Sequence, residues 1–242
     1  DAHRNGKGRR QEGYATHLLV DEVSTLLENR DKSRPNFMYV AFQAPHLPNE
    51  APAETLSKYH SLQGNRSIHA AMVDELDQAI GKILAEYRAH GMLENTIIMF
   101  MSDNGGLVAP SEDPALQSKM QRNALTLKSI FGRPIPVPGL EFLVSAFLDG
   151  ASDNSPLPGG KTLVREGGVR VPAAIWFAGG LEAGRYNAPF TISDVLPTIL
   201  EGVGAVDSIP NNLRGRSQWQ GLLGGVVETP DYVISGFVDG FS

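Results

Sequence analysis

Cysteine is absent from all 242 residues. That excludes a disulfide scaffold, a thiolate metal centre and a cysteine nucleophile within this sequence. Long apolar runs are absent too, so no stretch reads as a membrane span, and no signal peptide is recognisable. Lysine and arginine form no dense stripe, which argues against nucleic acid as a partner. The basic opening from His3 to Arg10 reads as a solvated loop. Methionine is missing from position 1, and an apolar run expected to be a strand, Tyr232-Val233-Ile234, lies close to Ser242. Both ends are therefore expected to be cut rather than finished.

What is present suffices for one sizeable core or at most two domains. Hydrophobic residues make up 41% of the chain, the formal net charge is −6 and the pI is near 5.5. Asn65-Arg66-Ser67 fits a glycosylation sequon, a triplet that often arises by chance.

Leu19, Val23, Leu26 and Leu27 predict one helical face, with Thr16 as its N-cap. Phe37 to Phe42 reads as a buried strand, followed by the Pro-rich loop Ala44-Pro45-His46-Leu47-Pro48. Ile68, Met72, Leu76, Ile80, Ile83 and Tyr87 predict a helix from about Arg66 to His90, stopped by Gly91. Ile97 to Met101 and Ala173 to Phe177 read as two further strands. Ser193 is expected to cap a helix carrying Val195, Leu196, Ile199 and Leu200. Strand, long helix, strand is a βαβ crossover, so the predicted class is α/β with a mostly parallel central sheet flanked by helices. Leu107 to Pro158 stands out as a long insert whose amphipathic pieces, Leu125 to Phe131 and Leu140 to Leu148, are separated by Pro134, Pro136 and Pro138. Such a segment reads equally as a binding loop or as a small packed subdomain.

Three places carry candidate chemistry. In Met99-Phe100-Met101-Ser102-Asp103-Asn104-Gly105-Gly106 an apolar run ends in two hard oxygen donors, which suit Ca²⁺ or Mg²⁺. His46 follows the first predicted strand, and Lys161 lies in the glycine-rich run from Gly159 to Pro172 that leads into the third. If the strands are parallel, the three are expected to meet at one sheet edge. A cation, an imidazole and an ammonium around one pocket would stabilise an anionic ester and its transition state. Each also has a plainer reading: a turn for Asp103 and Asn104, a loop histidine, a surface lysine. Glu166 and Arg170 read as a structural ion pair. His69, Asp74 and Asp77 read as structural residues of the long helix.

Taken in order, these segments resemble the sulfatases of the arylsulfatase type, within the alkaline phosphatase superfamily. The matching text is Gly13-Tyr14-Ala15-Thr16, Ala44 to Pro48, Met72 to Gly81, Ser102 to Gly106, Gly160-Lys161 through Pro172, and Ile192 to Thr198. It runs from about Gly13 to Arg216, the insert excepted. The resemblance implies that Asp103 and Asn104 are two ligands of a metal, Ca²⁺ in preference to Mg²⁺. It implies that Lys161 contacts the sulfate and the leaving-group oxygen, and that His46 lies beside the sulfate as a general acid. It further implies a sulfated small molecule or sulfated glycan as substrate, and a secreted, lysosomal or periplasmic setting.

Sulfatases use a formylglycine made from Cys or Ser in a Cys/Ser-X-Pro/Ala-X-Arg motif. This sequence has no cysteine and no serine form of the motif. The family's other metal aspartates, and a lysine and histidine pair, normally come earlier than the region matched. The chain is thus expected to be a partial sulfatase catalytic domain over residues 1–242 with an insert at 107–158. The formylglycine is expected upstream, and the chain is expected to be inactive alone. Phosphodiesterases and phosphonate hydrolases of the same superfamily are the alternative enzyme reading. They generally carry histidine where this chain has Asn104, which favours sulfate. A non-catalytic glycan-binding protein is the third reading.

Overall fold

A computed structural model of the chain describes residues 2–226. The strand expected at Tyr232 to Ile234 lies outside the described residues. Strands β1 (Ala2–Arg4) and β2 (Lys7–Arg9) form an antiparallel hairpin. Its tip, Asn5-Gly6, has φ of 51° and 76°, the paired positive values that a two-residue hairpin turn of the I′ type requires. The basic opening is thus a hairpin rather than a loop. In chain order there follow α1 (Ala15–Glu28), α2 (Ala53–Leu56), α3 (Asn65–Ala89), β3 (Ile98–Met101), α4 (Lys119–Phe131) and α5 (Pro138–Asp149). The chain continues with α6 (Glu166–Val169), β4 (Ala173–Trp176), α7 (Ile192–Gly202) and α8 (Trp219–Leu222).

The main core joins α1, α3 and β3. Val23, Leu27, Tyr87 and Leu93 are buried together, with Met38, Val40, Ile83 and Ile98 packed against them. The buried face of α1 is Thr16, Val20, Val23 and Leu27. Thr16 lies inside the helix, and Tyr14 is the N-cap. Leu26 is exposed, because the stripe runs one residue away from the predicted one. In α3 the burial centres on Ala71, Met72, Glu75, Ala79 and Tyr87, and α1 packs along this helix. Gly91, at φ 68°, ends α3 in a Schellman motif: its N–H donates to Arg88 O, and that of Met92 to Tyr87 O, both at 2.9 Å.

Phe37 to Phe42 joins no ladder among the described residues. It does keep a strand's alternation. Met38 and Val40 face the core, while Phe37 and Tyr39 are 78% and 83% exposed. The predicted cap of α7 also moves. Thr191 is the N-cap, its N–H and hydroxyl both donating to the Asp194 carboxylate, whose second oxygen accepts from Arg216 N at 2.9 Å. The Ile192 to Thr198 motif is therefore scaffold.

A buried polar cluster ties α1 and α2 to α3. Glu75 is 4% exposed, and its carboxylate accepts from the Thr55 hydroxyl and lies 2.7 Å from His17 Nε2. Burial alone would raise the Glu75 carboxyl, but the hydrogen bonds from Thr55 and His17 outweigh it and hold the group below its ordinary value. A carboxyl depressed in the folded state adds stability above its unfolded pKa, about 4.3. That stability is lost as pH falls through the folded value. Glu75→Gln is expected to cost about 1–3 kcal/mol at pH 7, with the gap to the parent narrowing below about pH 4. Urea melts at several pH values test this. A gap independent of pH would remove the charge from the account.

Candidate functional site

β3 and β4 pair antiparallel, Met101 opposite Ala173 and Ile98 opposite Trp176. This corrects the expected parallel arrangement, and both sheets among the described residues are antiparallel. The correction explains how the motifs meet. Parallel strands would set the exit of β3 and the approach to β4 at opposite edges, whereas antiparallel strands set them at the same edge.

Three backbone hydrogen bonds stitch the two loops together. Ser102 N donates to Pro172 O at 3.2 Å, Gly105 N to Gly168 O at 2.9 Å and Lys161 N to Gly106 O at 3.0 Å. Contact this close needs glycine. A Cβ on Gly105 would overlap the Gly167 carbonyl, and one on Gly160 would sit 2.7 Å from Gly106 O. Asn154, from the end of the insert, completes the seam. Its Oδ1 accepts from Gly106 N at 3.1 Å, and its Nδ2 donates to Gly106 O at 3.0 Å and Gly159 O at 3.2 Å.

On this frame the Asp103 side chain is exposed and has no hydrogen-bond partner among the described residues. Asn104 is half-buried, and its Nδ2 donates to Gly105 O at 2.9 Å, which leaves Oδ1 as an unengaged acceptor. Lys161 is half-buried with no carboxylate in ion-pair range among the described residues. Thr162, directly after it, has φ of 76°, a conformation that β-branched residues rarely adopt. Its hydroxyl is buried without a partner. Backbone strain is thus held beside Lys161.

His46 is not drawn into this cluster by any hydrogen bond among the described residues. It lies exposed beyond the extended segment, its N–H on Gln43 O and its Nδ1 2.8 Å from Leu47 O. A carbonyl only accepts, so Nδ1 carries a proton and Nε2 is the nitrogen left for chemistry. The loops bearing Asp103-Asn104 and Lys161 are therefore brought together by backbone hydrogen bonds.

Glu166, Arg170 and Asp74 make structural contacts of the kind expected. Glu166 and Arg170 form an exposed ion pair at 3.4 Å. Asp74 accepts from Lys58, Tyr59 and Gln78, a polar-face role rather than capping. His69 lies half-buried in α3, where burial pushes its imidazole down. Asn154 and Thr162 were not singled out by sequence. The available signal was weak: a polar Asp-Asn-Ser-Pro run just ahead of Gly159-Gly160.

The sulfatase family profile matches residues 2–205. The chain belongs to the sulfatase family. It is 26% identical over 205 residues to the uncharacterized sulfatase YdeN of Escherichia coli K12, covering 84% of this chain and 29% of YdeN. It is 27% identical over 217 residues to mouse N-acetylgalactosamine-6-sulfatase, covering 85% of this chain and 34% of that enzyme. Among solved structures, Ps i-CgsB in complex with k-i-k-neocarrahexaose matches with a TM-score of 0.69 and 28% identity, over 91% of this chain and 41% of its own. The chain thus spans about a third of these two curated sulfatases. Likeness to sulfatase structures supports the α/β class.

Proposed function

We propose that this sulfatase-family chain serves the hydrolysis of a sulfate monoester, with Lys161, His46, Asp103 and Asn104 as the residues it contributes. The observation that carries the reading is the seam between Gly105-Gly106 and Gly159 to Gly168. It fixes the backbone of Lys161 against the loop bearing Asp103 and Asn104. Cleaving the ester leaves charge on the departing oxygen. The Lys161 ammonium offsets that charge, and a His46 protonated on both ring nitrogens would give its Nε2 proton to the departing oxygen, turning an alkoxide into an alcohol.

Asp103 and the free Oδ1 of Asn104 are hard donors of the kind Ca²⁺ prefers to thiolate or imidazole sites. They fit part of a ligand set. Among the described residues no three His, Cys, Asp or Glu side chains gather as a metal centre, and Ca²⁺ takes roughly six to eight oxygens. When bound, the ion supplies positive charge to an ester oxygen. The attacking group is not assigned to any residue here, since neither cysteine nor a serine formylglycine motif is present.

The names of the mouse relative and of the carrahexaose-bound neighbour both point to carbohydrate, which supports a sulfated glycan as substrate. The test is turnover of p-nitrocatechol sulfate. The intact protein is expected to turn it over in preference to the phosphate analogue, and these 242 residues alone are expected to be inactive. Isothermal titration of the 242 residues with Ca²⁺ should give a dissociation constant weaker than about 1 mM. Appreciable turnover by the isolated residues would show that Asp103, Asn104, His46 and Lys161 suffice without an external nucleophile. Phosphate preference in the intact protein would move the reading to the phosphoester hydrolases.

A further inference from the structure

An open cleft of about 220 Å³ lies alongside the seam, between the start and the end of the insert. Val108, Leu116 and Leu157 give it apolar walls, and Ser111, Asp153 and Ser155 give it polar ones. Its position is fixed by the site. Val108 follows Gly106 by two residues, Gly159 precedes Lys161 by two, and Asn154 at the lining bonds both Gly106 and Gly159. The sulfate chemistry above uses none of its side chains.

The lining has mixed chemistry. Apolar walls pack the C–H faces of a pyranose ring, and hydroxyl and carboxylate groups take its hydroxyls. Asp153 accepts from Ser155 N at 2.9 Å through one oxygen, and its other oxygen lies 3.7 Å from Arg66. The serine hydrogen bonds hold its carboxyl below the ordinary range, so it remains an acceptor at neutral pH. A carboxylate here disfavours a second sulfate in the cleft and favours neutral hydroxyl donors.

The rim beyond Leu116 carries two arginines alongside Glu112 and Asp113. Arg122 Nη1 donates to Gln117 O at 2.6 Å, and Arg165 Nη2 reaches Ala115 O at 3.5 Å. Both arginines are exposed and neither has a carboxylate in ion-pair range among the described residues. Asp113, on the same loop, is turned to cap Ala115 N at 2.8 Å, and Glu112 is exposed beside it. The volume lies below the roughly 300–1,000 Å³ of sites that enclose drug-sized ligands. It suits a single ring rather than a chain segment.

We propose that this cleft binds the sugar adjoining the sulfated one, so that the substrate is a sulfated oligosaccharide rather than an aryl or steroid sulfate. The proposal rests on the sulfate-ester reading above, with the next anionic group of the chain reaching Arg122 and Arg165. Leu116→Trp fills the cleft, and Asp153→Ala removes its acceptor. The probes are sulfated monosaccharide and tetrasaccharide pairs from chondroitin 6-sulfate, heparin and carrageenan, with p-nitrocatechol sulfate as reference. In the intact protein, the tetrasaccharide-to-aryl-sulfate ratio of kcat/KM is expected to fall at least about tenfold in each variant. Thermal unfolding within a few degrees of the parent shows that the fold is kept. Equal losses on the tetrasaccharide and the aryl sulfate, or no loss on either, would overturn the proposal.

Calorimetry with the desulfated tetrasaccharides reads the cleft without the reaction. Tighter binding than the monosaccharide, lost in Leu116→Trp, supports the cleft even in a protein that turns over no sulfate ester. Binding no tighter than the monosaccharide, for every pair, overturns it even in an active sulfatase.

Discussion

Lys161→Ala in the intact protein is expected to lower kcat for sulfate esters by about 10²–10³-fold, the usual loss when one preorganised charge-stabilising group is removed. The change should fall on kcat more than on KM, because the ammonium is needed where charge develops. Leaving-group dependence makes the test specific. An aryl oxide departs readily and needs little help, whereas a sugar alkoxide needs much. The loss should therefore be larger for a sugar sulfate than for p-nitrocatechol sulfate. Equal losses would mean that Lys161 holds the sulfate oxygens rather than the departing one. Arg170→Ala is the matched control: its guanidinium is exposed and pairs with Glu166 on the surface. Little change is expected there, since exposed ion pairs contribute little. Wild-type kinetics for Lys161→Ala would remove the residue from the mechanism.

How much of this was legible in sequence depends on the range over which each feature is determined. The long helix α3 and its glycine stop were readable because helical periodicity and Gly91 are local signals. The two helices of the insert were visible for the same reason. Strand direction was not. The run Ala173 to Trp176 carries the same apolar pattern in either orientation, so only its partner β3 decides it. The loops bearing Asp103 and Lys161 meet through backbone hydrogen bonds, but the parallel geometry expected for these strands would have separated them. Burial phase was also misjudged by a residue or so. Helical faces are wide, and in α3 it is Ala71 and Ala79 that are fully buried, while the larger Leu76 and Ile80 are only partly so. Glu75 and Asn154 escaped notice because a buried polar residue looks the same in sequence as a solvated one until its partners are known. Those partners lie 20 and 58 residues from Glu75 and 48 from Asn154 at the Gly106 contact.

Gly105→Ala is expected to do more damage than its single methyl suggests. The added Cβ overlaps the backbone carbonyl of Gly167, which cannot rotate away as a side chain would. Either the Asp103 loop or the loop before β4 must shift, and the Gly105 N to Gly168 O bond lies within the strained contact. Overpacking of this kind costs about 1–3 kcal/mol, and more where backbone is the obstacle. Activity should fall further than stability. A displacement near 1 Å between Lys161 and the Asp103-Asn104 pair is worth about 10²-fold in rate. Gly81→Ala supplies the contrast. Gly81 lies mid-way along α3 with open space where its Cβ would stand. Alanine there should stabilise by about 0.5–1 kcal/mol through helix propensity and leave kinetics unchanged. The pair separates two accounts of the glycine-rich loops. If they are merely flexible connectors, both substitutions stiffen the chain and neither harms turnover. If they are a close-packed seam that holds Lys161 against Asp103, Gly105→Ala lowers both melting temperature and kcat, while Gly81→Ala raises the first and spares the second.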